Sequence, residues 1–415
     1  MLFPYKKFNQ VRKEGQAQLL RWYPSLSPAE KKQLLADIDR LDFEMIRAAA
    51  KPFVPNEGEI SPIAVTRLEE INEKREAYRE LGIKALSEGK LAAVLLAGGQ
   101  GTRLGFDHAK GCYNVALSGS LFLFQILIEN LKDNVALCGR PVPLYIMTSD
   151  LNYDETVGFF REKAFFGYPE DCVHFFRQDM APSLTADGKV MLEEKYHISY
   201  TPNGNGGWFS SLKRAGLLEQ MKAEGVEWLN VFSVDNVLQQ IADPVFLGAV
   251  LADGSYCGAK VIAKATPEEK IGAICLRGGR TTVVEYSELS EEMRYAKDEA
   301  GNFLYHYGVT LNYLFHLQET EKRAGEALPL HKAFKKIRCL NEKGESVLPE
   351  TPNGYKIETF IFDILECYPK VTVFEVSRKD EFAPIKNASG TDSPESAREL
   401  LLPKRLEWKA LLTKE

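Results

Sequence analysis

Leu91-Ala92-Ala93-Val94-Leu95-Leu96-Ala97-Gly98-Gly99-Gln100-Gly101-Thr102-Arg103-Leu104-Gly105 decides the fold. The unbroken apolar run 91–97 has the length and content of a strand buried on both faces. The glycines after it allow a tight turn with positive φ and leave no side chain between backbone N–H groups and a ligand. A concave row of N–H groups suits phosphate. Arg103, and Lys110 seven residues further on, add positive charge at the same strand end. A plain strand-turn with surface charges has no reason to gather glycine, threonine, arginine and lysine there, so the loop reads as a polyphosphate binder.

Two other phosphate loops are excluded. A Walker loop needs Lys-Ser or Lys-Thr after its last glycine, and Phe106-Asp107 follows Gly105. The dinucleotide fingerprint is nearly met by Gly99-x-Gly101-x-x-Leu104, but leucine stands in place of the third glycine.

Outward from this strand, apolar runs at 143–149, 172–178 and 228–234 alternate with helical patterns at 121–133, 153–163 and 210–224. The alternation predicts an α/β fold: a mostly parallel sheet with helices on both faces. Ligands then belong at the carboxyl ends of the strands. The glycine loop, Met147-Thr148-Ser149 and Val234-Asp235-Asn236 all fall there. Residues 257–264, 273–276 and 281–285 read instead as antiparallel strands, with Gly278-Gly279 as a hairpin turn.

Before the first strand the chain reads as helical. Ser27-Pro28-Ala29-Glu30 is a capping box with proline at the first helical position. Leu34, Ile38, Leu41 and Met45 then share one helix face. Pro52, Pro55 and Pro62 break the pattern, and a second, charged helix is expected over 64–87. The expected division is an N-terminal helical segment, 1–90, and a catalytic domain, 91–393, with a nucleotide half (91–250) and a sugar-binding half (251–393). A charged helix over 394–415 closes the chain.

Composition narrows the class. The 415 residues are 45% hydrophobic and carry 52 basic and 58 acidic groups, a net charge of −6. That is an ordinary globular balance with no basic field for nucleic acid. Seven scattered cysteines without a C-x-x-C pair fit reduced thiols in a cytoplasmic protein. No apolar run approaches the roughly 20 residues of a membrane helix.

Asp235 ends an apolar run, so its carboxylate is expected to project from the sheet edge as a ligand for Mg²⁺, which takes one or two carboxylates plus phosphate oxygens. The competing reading, a helix N-cap, fits Asp243 before Pro244 better. Asn203-Gly204-Asn205-Gly206-Gly207 is a second glycine-rich loop, weak evidence by itself. Gln178, at a strand end, offers an amide that pairs with a nucleobase edge or simply faces solvent. Lys356 and Lys386 lie in short polar-aromatic loops; lysine suits phosphate, though a solvated lysine is the commoner case.

Together, Leu96-Ala-Gly-Gly-Gln-Gly-Thr-Arg-Leu-Gly105, Met147-Thr-Ser149, Asn203-Gly-Asn-Gly-Gly207, Val234-Asp-Asn236, Cys257-Gly-Ala-Lys260, Val283-Val-Glu-Tyr-Ser-Glu-Leu289, Asn353-Gly-Tyr-Lys-Ile-Glu358 and Phe382-Ala-Pro-Ile-Lys-Asn-Ala-Ser-Gly390 closely resemble the UDP-sugar pyrophosphorylase family. The branch most resembled is the one acting on N-acetylglucosamine 1-phosphate. The resemblance implies a Rossmann-like, GT-A-like nucleotidyltransferase that converts UTP and a sugar 1-phosphate to UDP-sugar and pyrophosphate with Mg²⁺. By motif, Leu96, Ala97, Gly98, Gly99, Gln178 and Gly204 would hold the nucleotide. Arg103, Lys110, Lys356 and Lys386 would contact phosphates at the reacting centre, and Asp235 the metal. Asn205, Gly258, Glu285 and Asn312 would face the sugar.

Three departures stand against the family pattern. Ala109 replaces the usual proline before Lys110. Val309 follows Gly308 where the branch has asparagine, with Asn312 three residues on, which leaves glucose or galactose 1-phosphate open as substrates. Eukaryotic members continue into a further C-terminal domain, so no oligomer built through it is expected and a monomer is the working expectation. A glycosyltransferase would show Asp-x-Asp where Val234-Asp235-Asn236 stands. A non-catalytic regulator would lack Arg103, Lys110 or Asp235.

Overall fold

The computed structural model describes residues 3–51, 58–286, 288–323 and 328–413. Pro52, Pro55, Ser287 and the last two residues of the expected terminal helix lie outside them. The chain forms two compact units: Met1–Asn56 with Asp179–Gly207 and Leu328–Ile361, and Glu57–Gln178 with Trp208–Ala327 and Phe362–Glu415. They are not contiguous blocks, so they cut the chain differently from the division expected at residues 90 and 393.

The second unit holds the large sheet, of ten strands among the described residues. Val173–Arg177, Leu144–Thr148, Leu91–Leu96 and Trp228–Ser233 lie side by side in that order, all parallel. Strand order reverses at Leu91–Leu96, whose sequence successors lie to one side and Trp228–Ser233 to the other. Tyr307–His316 pairs antiparallel with Trp228–Ser233 and with Cys257–Ala263, which pairs in parallel with Thr372–Glu375. Ala273–Arg277 and Arg280–Val284 form the expected hairpin, with Gly278 and Gly279 at φ +56° and +79°.

All six residues of Leu91–Leu96 are buried, as a strand covered on both faces requires. Leu91, Ala93 and Leu95 join Tyr78, Phe124, Leu127 and Phe246 in one core. Helices Leu68–Ser87 and Pro244–Asp253 touch through glycine: a Cβ on Gly82 would meet Pro244 O at 1.9 Å, and one on Gly248 would meet Tyr78 O at 1.7 Å. No helix among the described residues is long and apolar enough to cross a membrane.

The first unit has its own core, where Leu34, Ile38 and Ile46 meet Ala181, Leu184, Ile198 and Ile357. The Ser27–Glu30 capping box is formed. The apolar face from Leu34 to Met45 is not one helix, however. Pro28–Asp39 ends and Phe43–Ala50 begins, because Asp42 accepts from Glu44 N and Met45 N as a new N-cap. The helix expected over 210–224 is likewise two, Trp208–Arg214 and Leu217–Ala223, separated at Gly216 with φ +76°. The terminal segment is Pro394–Leu401, Leu406–Trp408 and Lys409–Leu412, in place of one helix.

Candidate active site

The strand-order reversal brings the ends of Leu91–Leu96 and Trp228–Ser233 together, with Leu96 in register with Ser233. In an open parallel sheet such a reversal leaves a crevice outside the carboxyl ends of the strands. The glycine loop leaves one strand there and Asp235 leaves the other. The Lys110 Nζ lies 2.6 Å from the Asp235 Oδ1, with the lysine side chain 12% and the aspartate side chain 29% exposed.

The glycines differ in what they do. Gly98, Gly99 and Gly101 do not take positive φ; the left-handed residue of this loop is Gly105, at φ +69°. The expected tight turn is thus displaced, and Gly98 and Gly101 serve close approach instead. A Cβ on Gly98 would stand 2.5 Å from the Gln178 Oε1. Gln178 is 9% exposed, and its N–H donates to Thr148 O at 2.7 Å. A carboxamide therefore rests on bare backbone at the sheet edge. Gly99 has open space where a Cβ would be. Arg103 is exposed and forms no ion pair among the described residues.

The segment 381–387 zips onto the turn after Asp235. Asn236 Nδ2 donates to Glu381 O, its Oδ1 accepts from Ala383 N, and Ile385 N donates to Asp235 O. This lays half-buried Lys386 beside Asp235. Asp392 joins them: Lys386 N donates to Asp392 O, and burial raises the Asp392 carboxyl above its usual range, which Lys386 opposes and Asp235 reinforces.

Behind the turn lies a buried ion triple. Lys260 is 1% exposed, with its Nζ 2.7 Å from Asp243 Oδ2 and 2.6 Å from Glu381 Oε2. Burial alone would lower its pKa, but the two carboxylates hold it above the usual lysine value. Asp243 also caps Pro244–Asp253 through Val245 N, as expected.

The expected sugar-side residues divide. Gly258 is buried where a Cβ would meet Val250 Cγ2 at 2.5 Å, so helix packing accounts for its glycine. Asn312 is 1% exposed and fully engaged: its Nδ2 donates to Gln240 O at 3.1 Å, and its Oδ1 accepts from Asn230 Nδ2 at 2.8 Å. That engagement speaks against a sugar contact by Asn312. Glu285 and Val309 are half-buried in this unit.

Gly204, Asn205 and Lys356 belong to the first unit. Gly204 takes φ +81°, and a Cβ there would strike Thr359 O. The Asn205 Oδ1 accepts from Ile361 N at 2.9 Å, which occupies that acceptor. Lys356 pairs with Glu358 at 2.8 Å along its strand. Sequence reasoning missed Asn152, Glu155, Asn236 and Asp392. Of these only Asn236, beside Asp235, stood within a motif.

The chain matches the model of UDPGP, described as UTP--glucose-1-phosphate uridylyltransferase, over residues 46–406. It belongs to the UDPGP family. Members are nucleotidyltransferases, and so is this enzyme. It is 37% identical to the human "UDP-N-acetylhexosamine pyrophosphorylase-like protein 1", across 96% of this chain and 84% of that protein. Identity with Arabidopsis thaliana "UDP-N-acetylglucosamine diphosphorylase 2" is 38%, across 96% and 83%. The solved uridine diphosphate N-acetylglucosamine pyrophosphorylase of Trypanosoma brucei superposes with a TM-score of 0.78 at 26% identity, covering 97% of this chain and 84% of that one.

Proposed function

We propose that this UDPGP-family enzyme makes UDP-N-acetylglucosamine and pyrophosphate from UTP and N-acetylglucosamine 1-phosphate. The observation that carries the reading is the meeting of Gly98, Gln178, Lys110 and Asp235 where strand order reverses. Uracil presents one imide N–H between two carbonyls, and a carboxamide over glycine backbone matches that edge with one acceptor and one donor. The α-phosphate then falls toward Lys110 and Asp235.

A phosphate oxygen of the sugar 1-phosphate attacks the α-phosphorus of UTP. The bond from that phosphorus to the bridging oxygen breaks, and pyrophosphate leaves. The nucleophile is already anionic, so no general base is needed. The barrier is repulsion between two anions and their in-line alignment, which cations and positioning lower. Lys110, Lys386 and Arg103 supply cations in the second unit.

Magnesium fits the donor set in one way only. Among the described residues no three ligating side chains gather to close a site. An edge carboxylate suits an ion shared with substrate phosphates, and Asp235 would hold it. When bound, such an ion neutralises charge on the phosphate oxygens. Glu285, half-buried in the second unit, is the sugar contact of this reading. Val309 favours a second reading, glucose 1-phosphate, because it offers no amide.

Pyrophosphate release from UTP and Mg²⁺ with a panel of sugar 1-phosphates tests the proposal. Release with N-acetylglucosamine 1-phosphate above the others supports it; release with none overturns it. Val309→Asn should move the ranking further toward N-acetylglucosamine 1-phosphate.

A further inference from the structure

The helix Tyr153–Glu162 starts with two residues whose side chains leave it. Asn152 stands at the N-cap, where an asparagine side chain ordinarily accepts from the first-turn N–H groups. It makes no such bond. Asn152 is fully buried, and its Nδ2 donates to Ala97 O at 3.0 Å and Gly99 O at 3.3 Å. Its Oδ1 accepts from Ser149 N at 2.8 Å and Ser149 Oγ at 3.0 Å. Gly99 O also accepts from Lys110 N. All four hydrogen-bonding positions of the amide are occupied: its two donors hold the loop carbonyls of Ala97 and Gly99, and its two acceptor positions are held by Ser149.

Glu155 occupies the third helical position, where a capping-box glutamate would turn back to its own N-cap. Here it reaches the other end of the loop. Its Oε2 accepts from Ala109 N at 2.8 Å and its Oε1 pairs with His108 Nδ1 at 2.7 Å. Ala109 immediately precedes Lys110, whose ammonium meets Asp235. One helix start therefore grips both ends of the segment from Ala97 to Lys110.

We infer that Asn152 and Glu155 are positioning residues for the nucleotide loop, and that the Glu155–Ala109 hydrogen bond sets the backbone from which Lys110 projects. The backbone of Ala109, at φ −52° and ψ 123°, lies within proline's range. A proline there would fix the same φ covalently and present no N–H to satisfy. Glu155 does by hydrogen bonding what a ring would do by closure. The inference rests on the proposed reaction only for what the loop holds.

The test pairs loop order with nucleotide binding. Amide hydrogen exchange over residues 99–111 is measured on the free protein, and UTP affinity, KM and kcat are measured with Mg²⁺. Glu155→Ala should raise exchange in that segment and raise the KM for UTP about tenfold, the equivalent of one charge-assisted hydrogen bond. Its kcat should fall less, and its melting temperature should stay near that of the parent. Ala109→Pro in the Glu155→Ala background should return both exchange and KM to within about threefold of the parent. Asn152→Asp, which turns two donors into acceptors facing carbonyls, should raise exchange at residues 97–101. Unchanged exchange in Glu155→Ala, or no recovery on adding proline, overturns the inference. Failure of the parent protein to bind UTP overturns the proposed reaction instead, while the exchange data still decide the anchor.

Discussion

Lys110 Nζ and Asp235 Oδ1 stand 2.6 Å apart, so the cation of the glycine loop and the carboxylate of the neighbouring strand neutralise one another across the strand-order reversal. In the proposed reaction each trades this partner for a phosphate or a metal ion. The pair thus keeps two charges poised in a part-buried crevice that neither could occupy alone at low cost.

Asp235→Asn keeps the shape and removes the charge. Turnover should fall by about 10²–10³, the scale of one lost electrostatic contact in a transition state. Stability should change by only about 1 kcal/mol, because the pair retains solvent access. Initial rates and urea unfolding check the two halves. Activity within tenfold of the parent would remove the metal role from Asp235.

Gly98→Ala places a methyl group 2.5 Å from the Gln178 Oε1, closer than such contacts occur, so the carboxamide must move. If that amide reads uracil, the KM for UTP should rise at least about tenfold while discrimination against other pyrimidine nucleotides falls. Gln178→Ala should reproduce both effects without the clash. Competition assays with CTP, whose base lacks the imide N–H, measure them, and unchanged discrimination in both variants would detach Gln178 from the base.

Lys260→Met removes the cation from between Asp243 and Glu381 and leaves two buried carboxylates facing each other. The expected cost is about 3–5 kcal/mol. Lys260 has a folded pKa above its unfolded value, so its stabilisation is complete below about pH 10.5 and is lost as pH climbs through the folded value. Denaturant midpoints at neutral pH should therefore show the full deficit of the variant, and the gap should narrow in strong alkali.

The sequence made the parallel strands legible because each is a short apolar run ending at a glycine or polar turn. The hairpin at Gly278-Gly279 and the cap at Asp243 were readable for the same local reason. Long-range relations were not. Asp42 interrupts an apolar face whose spacing runs on unbroken, so the helix break depends on a cap that periodicity ignores. The first unit gathers segments separated by more than a hundred residues, and nothing in their composition announces it. Among site residues, Lys110, Asp235 and Lys386 stood out through their motifs. Asn152 and Glu155 lie at a helix start, where asparagine and glutamate are ordinary; only their hydrogen bonds reveal where they point.

Asn312 separates a sugar contact from a structural one. Its amide ties Gln240 O to Asn230, and the Asn230 Oδ1 in turn accepts from Ala242 N, where the backbone takes a left-handed φ of +53°. These bonds set the return path of the chain that carries Asp235. Asn312→Ala would leave Gln240 O without its side-chain donor and open a small void, costing about 2–3 kcal/mol. Because the damage reaches Asp235 and not a sugar hydroxyl, kcat should fall by a similar factor for every sugar 1-phosphate, leaving their ranking intact. A panel of kcat/KM values decides it: a selective loss for N-acetylglucosamine 1-phosphate would place Asn312 at the sugar after all.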